Sequence, residues 1–184
     1  MAELYVRCSV VIGHDIRLSS PALSAALAKG LTEGGANVID IGLCGTEQVY
    51  FSVFHLNADA GICITASHNP ANYNGMKLVG KDAVPLNAQD ELQQIKHLVA
   101  SADFTQSGIS PGVYQQQQTL PAYLQHLLTY IQVSQLKPLK VVMNAGHGGA
   151  GLVVNALAPL LPLQIIPLPV SYTHLRAHET KANL

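Results

Sequence analysis

The sequence predicts a three-layer αβα sandwich on a mixed, mostly parallel sheet, followed by an incomplete second α/β unit. Apolar runs of strand length alternate with segments of helical period along most of the chain, the pattern of a layered α/β domain. The run 59–65 is apolar with almost no alternation, which implies burial on both faces and a central place in a sheet covered by helices. Composition agrees: 48% of the 184 residues are hydrophobic and 11% are charged, so the chain can bury a core and lacks the signature of disorder.

The elements follow in order. Residues 6–12 read as the first strand. After the turn His14-Asp15-Ile16-Arg17, Ser20 is placed as an N-cap with Pro21 at the first helical position. Leu23, Ala26, Leu27, Gly30 and Leu31 then form one apolar face of a helix that Gly34-Gly35 ends. Residues 37–41 make the second strand, 47–56 a short helix, 59–65 the third strand and 76–79 a short fourth. Leu92, Ile95, Leu98 and Val99 mark a helix capped near Asn87; Leu124, Leu127, Leu128 and Ile131 mark another starting near Pro121. The glutamines at 115–118 are too few for a low-complexity tract. Beyond a connection at 135–138 come strand 139–143, a glycine-rich turn, helix 152–160 and strand 163–166. The domain expectation is therefore 1–136, a second-unit fragment at 137–169, and a foreign tail at 170–184, where composition shifts and no strand–helix pattern continues.

Several function classes are disfavoured. The net charge is −1 with basic residues scattered singly, so nucleic acid is not an expected partner. Cys8, Cys44 and Cys63 are an odd, dispersed set that suits reduced thiols in a cytoplasmic protein better than a disulfide framework or zinc. Glu3 and Arg7 sit where a signal peptide would need an apolar stretch. The apolar stretch 151–170 is broken by Pro159, Pro162, Pro167 and Pro169, so no membrane span is expected.

The chemistry concentrates in one bend. Ser67 directly follows the buried third strand, and open α/β sheets place their ligands at strand C-terminal ends. A serine-hydrolase reading fails because adjacent Ser67 and His68 diverge and G-x-S-x-G is absent. A plain turn is the bland alternative, since Asn69-Pro70 and Asn74-Gly75 are turn formers.

The whole string decides against the bland reading. Thr65-Ala66-Ser67-His68-Asn69-Pro70, then Tyr73-Asn74-Gly75-Met76-Lys77, closely resembles the phosphoserine loop of the α-D-phosphohexomutases, especially their phosphomannomutase branch. Gly13-His14-Asp15-Ile16-Arg17-Leu18-Ser19 resembles the family turn G-x-D-x-R-x-S, and Asp40-Ile41-Gly42 with Gly45-Thr46-Glu47 resembles its D-I-G…G-T-E segment; the likeness covers roughly residues 10–168. The resemblance implies that Ser67 carries a phosphate, a group of charge about −1.5 to −2 that needs donors. It implies that Ser67, His68 and Lys77 are catalytic, that Asn69 and Arg17 bind substrate or phosphate or wall the site, and that Ser67 also offers an oxygen to Mg²⁺. The implied reaction interconverts mannose 6-phosphate and mannose 1-phosphate, primed by a hexose 1,6-bisphosphate, in an enzyme that is a monomer or dimer when intact. Glucose specificity, or a non-catalytic anion-binding fragment, stays open.

Other motifs are weaker. Gly146-His147-Gly148-Gly149-Ala150-Gly151 matches G-x-G-x-x-G, but no acidic residue follows the next strand to gather a ribose; it resembles the glycine turn opening the family's second domain, with His147 in place of asparagine. His174, His178 and Glu179 lack a third zinc ligand and an H-E-x-x-H pattern. The resemblance also implies missing parts: the Y-D-I-R-G segment and initial helix upstream, and the metal, sugar and phosphate loops downstream. Alone, the chain is expected neither to retain Mg²⁺ tightly nor to turn over mannose phosphates.

Overall fold

The computed structural model describes residues 7–101, 109–145 and 149–168. A five-stranded sheet runs in the order β4-β3-β1-β2-β5, with β1 Ser9–His14, β2 Asn37–Leu43, β3 Ala60–Ile64, β4 Met76–Val79 and β5 Tyr114–Gln116. The β1–β2, β1–β3 and β2–β5 pairs are parallel and β3–β4 is antiparallel, so the sheet is mixed and mostly parallel as expected. β1 is central and β3 is the interior strand beside it.

Period-2 alternation sorts the strand side chains onto two faces. Val10, Ile12, Val38 and Ile62 meet Ala28, Leu27 and Leu31 of helix α1 (Ser20–Glu33). Val11, Ile41, Cys44 and Cys63 meet Val49 and Val53 of α2 (Thr46–His55) on the other face. Helix α4 (Leu120–Leu128) lies outside α2. Thr119, just before it, accepts hydrogen bonds from Ser52 Oγ (2.9 Å) and Gln48 Nε2 (3.2 Å), all three side chains being buried. Phe51 adds ring contacts to Tyr123 and His126 at 5.4 and 5.1 Å between centroids.

Two glycines set how closely α2 approaches. A Cβ at Gly61 would stand 2.4 Å from Val53 Cγ2 and 3.2 Å from Val49 Cγ1; one at Gly13 would stand 2.4 Å from Cys44 Sγ. Both valines are fully buried and β-branched, so neither can swing aside within a helix. Gly61→Ala is therefore expected to destabilise the chain by about 1–3 kcal/mol through overpacking. A urea midpoint unchanged from wild type would contradict this.

The structure corrects several expectations. Helix α1 starts at Ser20 itself, with Ser19 at the cap position and no side-chain capping bond. Its most buried line is Ser20, Ser24 and Ala28; Ala26 and Gly30 are exposed, and Leu23, Leu27 and Leu31 only flank the seam. Strand β1 runs on to His14, β2 runs to Leu43, and β5 was not anticipated from its glutamines. Helix α3 (Glu91–Ser101) forms where its apolar stripe said, but Ile95, Leu98 and Val99 are exposed and no residue of the helix is buried. Ile131 lies beyond the end of α4 and is exposed.

A second, two-stranded parallel sheet pairs β6 (Lys140–Met143) with β7 (Gln164–Pro167) around α5 (Ala150–Leu157) and a following 3-10 turn, Ala158–Leu160. His147, His174, His178, Glu179 and the tail at 170–184 lie outside the described residues. No helix among the described residues is long and apolar enough to cross a membrane.

Candidate active site

The C-terminal ends of β1 and β3, the turn after β1, and the loop between β3 and β4 meet at one end of the sheet. Asp15 N–H donates to Ile64 O (2.9 Å), tying the turn to β3, and Thr65 N–H donates to Gly75 O (2.9 Å), closing the base of the loop. A side chain at Gly75 would crowd Thr65 O at 3.3 Å, so glycine lets the two ends of the loop meet. Helices α1 and α2 both begin at this end, their N-terminal dipoles favouring negative charge here.

Ser67 is exposed near the start of this loop, and its hydroxyl has no hydrogen-bond partner among the described residues. Its backbone is left-handed (φ 54°), a conformation that costs an L-residue about 1–2 kcal/mol. Ser67 N–H donates to Thr65 Oγ1 (3.0 Å), and Ser67 O accepts from Arg17 Nη2 (2.9 Å). The backbone is thus tied on both sides of an untied side chain.

Arg17 is buried beneath this loop. Besides Ser67 O, its guanidinium donates to Asn69 O (2.7 Å), Pro70 O (2.7 Å) and Tyr73 O (3.0 Å), and Nε pairs with Asp15 Oδ2 (3.1 Å). Asp15 Oδ1 in turn accepts from Arg17 N–H (3.0 Å) and Ser20 Oγ (2.6 Å), while Asn74 Nδ2 reaches Ser19 Oγ (2.8 Å) and Ser20 Oγ (2.9 Å). Turn, loop and the first turn of α1 are one polar network.

His68 is exposed and without a side-chain partner among the described residues; Asn69 is exposed and donates through Nδ2 to Ala66 O (2.8 Å). Lys77 is exposed, with no ion pair among the described residues, and stands in register with Cys63 on the antiparallel β3–β4 pair. Directly opposed residues share a face, so Lys77 lies on the α2 side of the sheet. Cys63 is buried there and takes a hydrogen bond from Thr46 Oγ1 (3.8 Å); burial pushes its thiol up to about 11, and burial raises Cys44 further still. Neither thiol is a nucleophile at neutral pH. Sequence reasoning missed Thr65, Ser19, Ser20, Asn74 and Asp15 as loop-holding residues.

The second unit touches this rim: a Cβ on Gly149 would stand 3.8 Å from Cys44 O, at the end of β2. Among the described residues no three His, Cys, Asp or Glu side chains gather into a metal-holding set. A single oxygen on Ser67 falls well short of the near-octahedral oxygen shell of Mg²⁺. The described residues therefore do not by themselves fit such a site, and no step below runs through the ion.

Comparison with known proteins gives a consistent answer. Residues 2–106, over half of the chain, match the model of phosphoglucomutase/phosphomannomutase alpha/beta/alpha domain I. The chain is 53% identical over 157 residues to a protein named phosphohexose mutases from Xanthomonas campestris pv. campestris, covering 85% of this chain and 35% of that one. It is 46% identical over 173 residues to the phosphomannomutase of Salmonella typhimurium, covering 94% and 37% respectively. A crystal structure of a phosphoglucomutase/phosphomannomutase family protein from Burkholderia thailandensis superposes with a TM-score of 0.75 at 32% identity, over 88% of this chain and 35% of that one. The chain thus spans about a third of the length of the curated relatives it matches. On the domain-I match and the shared fold together, it belongs to the phosphoglucomutase/phosphomannomutase family.

Proposed function

We propose that this chain is the phosphoserine-bearing part of a hexose-phosphate mutase that interconverts mannose 6-phosphate and mannose 1-phosphate. The carrying observation is Ser67: an exposed hydroxyl without a partner among the described residues, on a backbone held from both sides, at the C-terminal end of an interior strand. The names of the relatives support the mutase class, and the phosphomannomutases among them favour mannose over glucose. The domain division at about residue 136 goes with this reading, supported by the separate β6–β7 sheet. Three free cysteines suit a cytoplasmic setting.

In this reading the Ser67 Oγ–P bond breaks as a hydroxyl of a hexose monophosphate forms the new P–O bond, leaving hexose 1,6-bisphosphate and the serine hydroxyl. His68 accepts the proton from the attacking hydroxyl and returns it to Ser67 Oγ. The reverse transfer, from the other end of the turned bisphosphate, restores the phosphoserine. Lys77 offsets charge on the phosphoryl group in flight, and Asn69 lies beside the phosphate. Mg²⁺ and a priming bisphosphate belong to the proposal, the ion's other ligands coming from outside the described residues.

The test is peptide mapping of the full-length protein that carries this sequence, after incubation with glucose 1,6-bisphosphate and Mg²⁺. One phosphoryl group on the peptide containing Ser67, absent from Ser67→Ala, is the expected result. Saturable binding of the bisphosphate without covalent phosphate would leave an anion-binding module and overturn the mutase reading.

A further inference from the structure

We propose that Arg17 is a positioning residue for Ser67, a clamp that works through loop carbonyls and touches neither the phosphate nor the sugar. The inference rests on reading Ser67 as the phosphoryl carrier. A guanidinium has five N–H donors in a rigid fork. In this chain Nε goes to Asp15, Nη1 to Pro70 O and Tyr73 O, and Nη2 to Ser67 O and Asn69 O. No donor is left for a ligand, and the group is buried. The resemblance to the family implied that Arg17 binds substrate or phosphate or walls the site; the geometry assigns it to the layer below the ligand.

The four carbonyls explain why this position suits arginine. They come from residues 67, 69, 70 and 73, in both turns of the loop, and converge on one planar cation. A carbonyl drawn inward at Ser67 fixes that residue's ψ, while Thr65 Oγ1 holds its N–H. Together they maintain the left-handed backbone and keep the side chain on the outer surface. Asp15 holds the guanidinium in plane, and its charge offsets part of the cost of burying the cation. Lysine carries the same charge but has three donors on a point ammonium and cannot span four spread carbonyls.

Arg17→Lys separates this role from a charge at the ligand. Hydrogen exchange of amides 66–74 is expected to rise by about tenfold or more, while strand amides at 10–12 and 38–40 stay unchanged. The maximal rate of Ser67 phosphorylation by glucose 1,6-bisphosphate is expected to fall by about 100-fold with little change in half-saturation, the mark of a misplaced reacting atom. Near-wild-type rates with lysine, or a raised half-saturation concentration at an unchanged maximal rate, would show direct ligand contact and overturn the proposal.

Thr65→Val serves if Arg17→Lys does not fold, because it removes the other tie on Ser67 and leaves the buried ion pair alone. The same faster loop exchange and slower phosphorylation are expected. If Ser67 accepts no phosphate in the wild-type full-length protein, the mutase reading fails by itself and the exchange measurement still decides the clamp. Unchanged loop exchange in the variant that folds overturns it.

Discussion

Asp15→Ala is expected to lower the unfolding free energy by about 2–4 kcal/mol. The side chains of the pair are 7% exposed at Arg17 and 20% at Asp15. Removing the carboxylate strands a buried cation and also leaves Arg17 N–H and Ser20 Oγ without their acceptor. Lys29 and Glu33 supply the control. They form an i,i+4 pair at 3.8 Å with side chains 74% and 65% exposed, a type worth about 0.3–0.5 kcal/mol. Chemical denaturation of both variants reads the difference directly. If Asp15→Ala costs no more than Glu33→Ala, the network under the loop is not holding it.

The second large effect is on rate. Lys77→Ala is expected to slow phosphorylation of Ser67 about 100- to 1,000-fold, the range for removing one preorganised donor from a transferring group. Stability should change by no more than about 0.5 kcal/mol, since Lys77 is exposed and has no ion pair among the described residues. Lys77→Arg should recover part of the rate by restoring the charge with a different donor geometry. Single-turnover phosphorylation followed by mass gives the rate, and thermal melts give the stability. An unchanged rate in Lys77→Ala would remove this residue from the chemistry.

Legibility in the sequence varied with the kind of signal each element carries. Runs such as Val10–Ile12 and Ile62–Ile64 were readable because interior strands of a covered sheet are apolar on both faces. Strand β5 was not. It lies at an edge, Tyr114, Gln115 and Gln116 are all exposed, and what holds it is backbone pairing to β2 and a bond from Tyr114 Oη to Asp40 Oδ2 (2.7 Å). The seam of α1 was displaced because its most buried positions include Ser20 and Ser24, whose hydroxyls do not register in a search for apolar periodicity.

The site was legible where the string is local. Ser67, His68, Asn69 and Lys77 sit within eleven residues, and the resemblance named them together. What organises them is remote: Arg17 stands 50 residues before Ser67, and Asn74 reaches back 54 and 55 residues to Ser20 and Ser19. Periodicity carries no information at that range. For α3 the pattern gave the helix but could not say whether its stripe is covered, since Ile95, Leu98 and Val99 would read the same either way.

The closing of the loop at its base by Thr65 and Gly75 has a mechanical corollary. A carrier mounted on a hairpin whose two legs are neighbouring sheet strands cannot travel between two stations without tearing backbone ladders. In the proposed reaction, any rotation between the two phosphoryl transfers therefore falls to the bound hexose phosphate, over a stationary serine.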